Sequence, residues 1–260
     1  MTEHVVSIIT PVHPKGTAHL DAAYRSLLDQ ELPDNWSWEW IVQEDGQDGV
    51  VAGYLPSDPR ISYSSSRRGG AGVARTMALS RARGELVKVL DADDELPPGA
   101  LWRDIDVLRN NGAVDWTTSR VLDLLPDGST AGFDFDPPEG TIRVGDVVNH
   151  WLTHDYRAQV HPATLCIRRS VLLMLGGWMA LPASEDTGLL LSLNAVSTGY
   201  FIAEAGLRYR KWDGQATARA AHTDPTERDA RMAVIAARAR VLLDSTSVIR
   251  RAIIDASDPC

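Results

Sequence analysis

Leu86-Val87-Lys88-Val89-Leu90-Asp91-Ala92-Asp93-Asp94-Glu95 is the stretch whose reading decides the fold of this chain. Leu86, Val87, Val89 and Leu90 make the mostly apolar run of a strand buried on both faces, which points to a parallel sheet. Pro97-Pro98-Gly99 then stops the strand and turns the chain. Three aspartates within four residues repel one another unless something cationic sits among them. A divalent metal held by hard oxygen ligands, its shell completed by a phosphorylated substrate, meets that need. A solvated acidic turn capping the next helix gives the same local pattern.

Working outward, Val5–Thr10 is a first buried strand ended by Pro11, and 11–16 is a loop at its carboxyl end. Leu20, Ala23, Tyr24, Leu27 and Leu28 fall at helical spacing within 19–30. Trp38–Val42 is a second strand running into Glu44-Asp45-Gly46, and Ile61–Tyr63 a third. After the loop 67–72, Val73, Met77, Ala78 and Ala82 mark a helix closed by Gly84. Strands alternating with helices predict a mainly parallel sheet, in which ligands bind outside the carboxyl ends of the strands. The loop after the first strand, Asp45 and the aspartates share that edge.

Beyond Pro98 the pattern predicts a helix over 99–110, extended segments at 116–121 and 122–125, and a loop over 131–142. Helices follow at 147–153, 169–175 and 187–196, with strand candidates at 165–167 and 201–203. Ser184-Glu185-Asp186 opens the helix at 187, with its acids in or before the first turn. A long Ala/Arg-rich helix covers 225–243. The expectation is a single α/β domain over 1–260, with a nucleotide-binding half (1–97), an acceptor half (98–224) and a C-terminal helical segment (225–260).

The chain has 260 residues, 44% of them apolar, enough for one substantial core. A net charge of −9 argues against nucleic-acid binding through a broad basic surface. Cys166 and Cys260 form no metal or disulfide pattern. No apolar stretch is long enough to span a bilayer and no leader-type segment is apparent, so a cytoplasmic protein is expected. High Ala and Arg usage hints at a GC-rich bacterial source.

The ordered pieces resemble the family 2 glycosyltransferases of GT-A fold. Val6–Val12 looks like the family's opening strand, and Ser26-Leu27-Leu28-Asp29-Gln30 is similar to its Ser-Leu-x-x-Gln helix end. Val42–Gly46 resembles its second strand with an acidic pair before Gly, and Gly72-Val73-Ala74-Arg75 its helix start with a glycine followed by an arginine. Leu90–Asp94 resembles its DxD-type motif, and Arg168–Trp178 followed by Glu185-Asp186 its acceptor block. The resemblance implies a nucleotide-diphospho-sugar donor, a hydroxyl or amine acceptor on a small molecule or glycan, inversion at the anomeric carbon, and Mn2+ or Mg2+. Donor contacts then fall to Pro11, Val12, Asp45, Arg75, Asp91 and Asp93, and the metal to Asp94 and Asp93. Asp186 is the candidate base with Glu185 its rival, and His161, Trp178 and Trp212 are acceptor candidates.

A carboxylate only accepts hydrogen bonds, so Asp45 suits the imide N–H of uracil or thymine, and UDP- or dTDP-sugars are favoured. An Asx turn explains Asp45 as well. Many relatives carry a histidine after the segment matching Arg208-Tyr209-Arg210; here Lys211-Trp212-Asp213 follows, and His222 is the next histidine. That puts a third protein ligand in doubt, with Asp213, His222, Lys211 on the diphosphate, or water as substitutes. Gly70-Ala71-Gly72 hints at a dinucleotide fingerprint, but it does not follow the first strand and Arg75 takes the third glycine's place. A nucleotidyltransferase lacks its basic glycine-rich loop here. A non-catalytic nucleotide-sugar or glycan-binding protein would not need both acidic clusters.

Overall fold

The structure, a computed structural model, describes residues 3–134, 136–212 and 224–257, with 247–257 as backbone alone. At its centre lies β1 (His4–Val12), hydrogen-bonded in parallel to β2 (Trp36–Asp45) on one side and β4 (Leu86–Val89) on the other. β3 (Ile61–Ser66) extends the sheet beyond β2. On the far side come β8 (Cys166–Arg168), β5 (Trp116–Leu124), β9 (Gly199–Arg210) and β7 (Gly140–Ile142). The order is β3-β2-β1-β4-β8-β5-β9-β7, with the two-residue β6 (Thr130–Ala131) pairing with β5. β8 is antiparallel to both its neighbours and β7 to β9, while β5 and β9 are parallel. The sheet is therefore mixed and mainly parallel, as the alternating pattern predicts.

Side-chain alternation splits the core between two faces. Val6, Ile8, Leu86 and Leu90 pack with α1 (Leu20–Leu28) and α3 (Ala100–Asn110). Ile9, Val87 and Val89 face the other way, toward α2 (Ala71–Leu79), α4 (Asp146–Thr153), α5 (Arg169–Met174), α6 (Glu185–Val196) and α7 (Pro225–Ser257). Lys88 interrupts this apolar run and is fully buried. It is held by Asp104 Oδ2 at 2.6 Å and Thr164 O at 2.7 Å, and Thr117 donates to Asp104 Oδ1 at 2.7 Å. A buried ammonium needs such pairing, since leaving it unpaired costs about 3–5 kcal/mol.

Several predicted boundaries shift. β1 continues through Pro11 to Val12 because the β4 ladder ends at Ile9↔Val89, so proline's missing N–H faces no partner strand there. The two extended segments at 116–125 are one strand, bent by register shifts around Arg120. The predicted 131–142 loop contains β7, β9 spans twelve residues rather than three, and the last helix continues to Ser257. Among the described residues no helix is long and apolar enough to cross a membrane.

Candidate active site

The parallel strands end on one edge, and the acidic groups gather there. The turn carrying Asp91–Asp94 is fixed from three sides. Ser26 Oγ accepts from Leu96 N at 3.1 Å, Gln30 Nε2 donates to Pro97 O at 3.0 Å, and Leu101 N donates to Gln30 Oε1 at 3.1 Å. The Ser-x-x-x-Gln end of α1 is thus a clamp on the chain after the aspartates. Glu95 and Arg208 exchange backbone hydrogen bonds of 3.1 and 2.8 Å, which fastens the turn to β9. Arg210 reinforces the joint, donating through Nε to Asp93 O at 2.8 Å and pairing with Glu95.

Each aspartate then meets a different donor. Asp91 Oδ1 lies 2.5 Å from Arg75 Nη2. Asp93 Oδ2 accepts from the Trp212 indole N–H at 2.7 Å. Asp94 Oδ1 accepts from Arg210 N at 2.9 Å, whereas its Oδ2 is buried and has no hydrogen-bond partner among the described residues. Burial, with Asp91 and Asp93 adding repulsion, pushes the Asp94 carboxyl well above the usual range. Burial also raises Asp93, and the Trp212 hydrogen bond opposes it.

Arg75 reaches across the site. The residue is 3% exposed, and its guanidinium also donates through Nη1 to Glu185 Oε1 at 2.7 Å, at the start of α6. Gly72 permits this approach, because a Cβ there would sit 2.6 Å from Met179 O and 2.8 Å from Glu185 Cγ. The residue leading into α6, Ser184, has φ 63°, an uncommon left-handed conformation for a side-chain-bearing residue directly before the two acids. Asp186 Oδ1 accepts from Thr187 N at 2.6 Å. Burial raises the carboxyls of both Glu185 and Asp186, and Arg75 opposes the rise in each.

Tyr209, near the end of β9, stands among these groups. Burial first, then Asp94, Asp91, Asp93 and Asp186, drive its phenol far above its ordinary value, so it remains an O–H. His161 packs on it with ring centroids 5.3 Å apart, and Lys211 Nζ lies 4.4 Å from the Tyr209 ring centroid and 3.1 Å from Asp123 Oδ1. His161 Nδ1 accepts from Ala163 N at 3.3 Å, and burial lowers its pKa, so the neutral ring carries its proton on Nε2.

Residues 7–127 match the family model for glycosyl transferase family 2. TuaG of Bacillus subtilis (strain 168), a glycosyltransferase named for teichuronic acid biosynthesis, is 32% identical over 140 residues, covering 52% of this chain and 54% of its own length. An uncharacterised glycosyltransferase of Methanocaldococcus jannaschii is 25% identical over 135 residues, covering 50% and 46%. The crystal structure of S. aureus TarS 1–349 in complex with UDP-GlcNAc superposes with TM-score 0.64 at 17% identity, over 85% of this chain and 61% of that one. Over residues 7–127 the chain is thus similar to glycosyl transferase family 2. It spans about half the length of the two sequence relatives.

The chain carries the expected GT-A fold, and the expected residues are arranged as follows. Asp91, Asp93, Asp94, Arg75, Glu185 and Asp186 come together through the contacts above. Val12 is buried and Pro11 partly exposed at the end of β1, and Asp45 ends β2. Asp45 Oδ1 accepts from Gly69 N at 2.7 Å and Gly70 N at 3.1 Å, so it also holds the turn before α2. Trp178 is a correction: it is 5% exposed and packed in the core, whereas stacking on a sugar needs an open ring face. Trp212 instead spends its indole N–H on Asp93. Asp213 and His222 lie outside the described residues. Tyr209 and His19 are functional-site neighbours that sequence reading missed; an aromatic residue between arginines at a strand end was the only cue to Tyr209.

Among the described residues no three His, Cys, Asp or Glu side chains form a ready metal cage. The unpartnered, buried Asp94 Oδ2 beside two further carboxylates still fits a hard divalent ion that draws most of its oxygen ligands from a diphosphate.

Proposed function

We propose that this chain moves a sugar from a nucleotide diphosphate, UDP or dTDP favoured, to an acceptor hydroxyl or amine with inversion at the anomeric carbon. The observation that carries the reading is that Arg75 joins Asp91, beside Asp93 and Asp94, in one half to Glu185, beside Asp186, in the other. The S. aureus TarS structures named as complexes with UDP-GlcNAc and UDP support a uridine nucleotide donor. The name of the B. subtilis relative supports a cell-surface glycan precursor as acceptor.

In this reading residues 1–97 bind the nucleotide and 98–224 the acceptor. Asp45 accepts from the base imide N–H, with Pro11 and Val12 bordering the pocket, and Asp93 accepts from the ribose hydroxyls. Asp94 with Asp93 would hold Mn2+ or Mg2+, which when bound offsets the negative charge of the diphosphate. Arg75 is committed to Asp91 and Glu185, which makes it a brace between donor and acceptor sides rather than a phosphate clamp. Glu185 is buried in that brace, and this favours Asp186 as the base. Asp186 takes the acceptor proton as the acceptor oxygen or nitrogen bonds to the anomeric carbon and the bond to the diphosphate breaks. Its raised pKa strengthens it as a base. The Nε2–H of neutral His161 and the Tyr209 hydroxyl are donors available to the acceptor.

The test is release of nucleoside diphosphate from a panel of UDP-, dTDP-, GDP- and ADP-sugars, with and without MnCl2. Consumption of a UDP- or dTDP-sugar, abolished in Asp186→Asn, is expected. No turnover of any donor, together with no binding of any nucleoside diphosphate, would sink the reading.

A further inference from the structure

Trp212 sits where an acceptor-stacking role was expected, yet its polar edge is already spent on the donor side. The indole Nε1 donates to Asp93 Oδ2 at 2.7 Å. Its ring meets His19 edge to face, with centroids 5.0 Å apart and planes at 77°. His19 belongs to the loop between β1 and α1, Asp93 to the turn after β4, and Trp212 follows the end of β9. One side chain therefore ties three strand-end segments together. The same joint carries Arg210, whose Nε holds Asp93 O at 2.8 Å and whose backbone N–H holds Asp94 Oδ1 at 2.9 Å. Asp93 is thus fixed at its carbonyl by Arg210 and at one carboxylate oxygen by Trp212.

We propose that Trp212 is a positioning residue of the donor site: its indole N–H orients the Asp93 carboxylate so that the other oxygen faces the nucleotide. An indole N–H only donates, and a carboxylate only accepts, so the pair has a single sense and no competing tautomer. Phenylalanine at 212 keeps a ring to set against His19 and removes the donor. The carboxylate then rotates between orientations, and nucleotide binding must select the productive one. The effect falls on donor affinity, because Trp212 acts through a group that holds the nucleotide and not through the base on α6.

This inference rests on the donor reading above, and the experiment separates the two. UDP is titrated calorimetrically into the full chain in MnCl2, as wild type, Trp212→Phe, Asp93→Asn and the double variant. Trp212→Phe is expected to weaken UDP binding about tenfold, the scale of one hydrogen bond to a charged group. The double variant should bind no more weakly than Asp93→Asn. With the donor sugar identified by the panel, Trp212→Phe should raise donor KM by a similar factor and leave kcat within about threefold. His19→Ala, which removes the ring Trp212 leans on, serves as a second variant and should weaken UDP in the same direction by a smaller factor. Unchanged UDP affinity in Trp212→Phe overturns the proposal even if its melting temperature falls, since that pattern belongs to packing alone. Additive effects of the two substitutions overturn it as well. Failure of the wild type to bind any nucleoside diphosphate removes the donor reading, and this inference with it.

Discussion

Glu39 and Glu44 of β2 and Asp94 after β4 are all buried, yet they are held in opposite ways. Glu39, 4% exposed, accepts from Ser7 Oγ at 2.7 Å, Arg83 N at 2.7 Å and Arg83 Nε at 2.8 Å. Glu44, fully buried, accepts from Gly49 N, Val51 N and the Tyr63 hydroxyl at 3.0, 3.1 and 2.7 Å. Burial pushes both groups up, but these donors outweigh it, and both carboxyls end below the usual range. Asp94, 1% exposed, has one backbone donor, an oxygen without a partner among the described residues and two acidic neighbours, and ends well above it. The first pair closes its loops completely. The second group is left short of donors at the sheet edge where a ligand is expected, the pattern of a site rather than of a frame.

The comparison is broken most severely at Asp186. If this residue is the base, Asp186→Asn lowers transfer by about 10³-fold or more while UDP affinity stays within a few-fold. Nucleoside diphosphate release alongside UDP titration measures both, and a large loss of UDP affinity would move Asp186 into the donor site.

The next two tests make the same chemical change in each region. Glu44→Gln places an amide N–H2 among three donors and should destabilise the fold by ~2 kcal/mol, the cost of buried donors left unmatched. Asp94→Asn removes a charge the fold disfavours, and its amide can still accept from Arg210 N. It should raise the melting temperature, each 1 kcal/mol gained moving it by ~2–4 °C in a chain of this size. If UDP with MnCl2 stabilises the wild type, as the proposed donor site requires, the same variant should lose that stabilisation. Melting curves of both variants, with and without UDP, decide the matter. A fall for Asp94→Asn in the absence of ligand would mean that its buried oxygen has a partner after all.

Part of this contrast was legible in the sequence. Leu86–Leu90 reads as a buried strand because four of its five residues are apolar, and the edge shared by Asp45 and Asp91–Asp94 follows from parallel topology. Lys88 was not legible as a core residue, because its partner Asp104 lies sixteen residues away on α3. Arg75 and Glu185 are 110 residues apart, and only the packing of α2 on α6 over Gly72 joins them. β7 is three residues on a sheet edge, too short to show a period, and β9 alternates with so many charges that only Phe201–Ala203 stood out. Trp178 and Trp212 show the same limit in one residue type. Composition offers both as ring platforms, whereas the fold buries one and turns the other's N–H toward Asp93.

The smallest expected effect, and the sharpest on sign, is the pH dependence of these stability differences. Glu44 has a lowered folded pKa, so its contribution is fully present above the unfolded glutamate value near 4.5 and is lost as pH falls through the folded value. Asp94 has a raised folded pKa. Its ionisation therefore costs stability, fully above that folded value, and the cost disappears as pH falls below the unfolded aspartate value near 3.8. Urea midpoints of wild type, Glu44→Gln and Asp94→Asn should accordingly differ most at neutral pH, with opposite signs. Both differences should shrink toward acid, that of Asp94→Asn beginning at the higher pH because its carboxyl protonates first in the folded state. If the Asp94→Asn difference held constant down to pH 4, its origin would be packing and not charge, and the division between framing and functional carboxylates would lose its electrostatic basis.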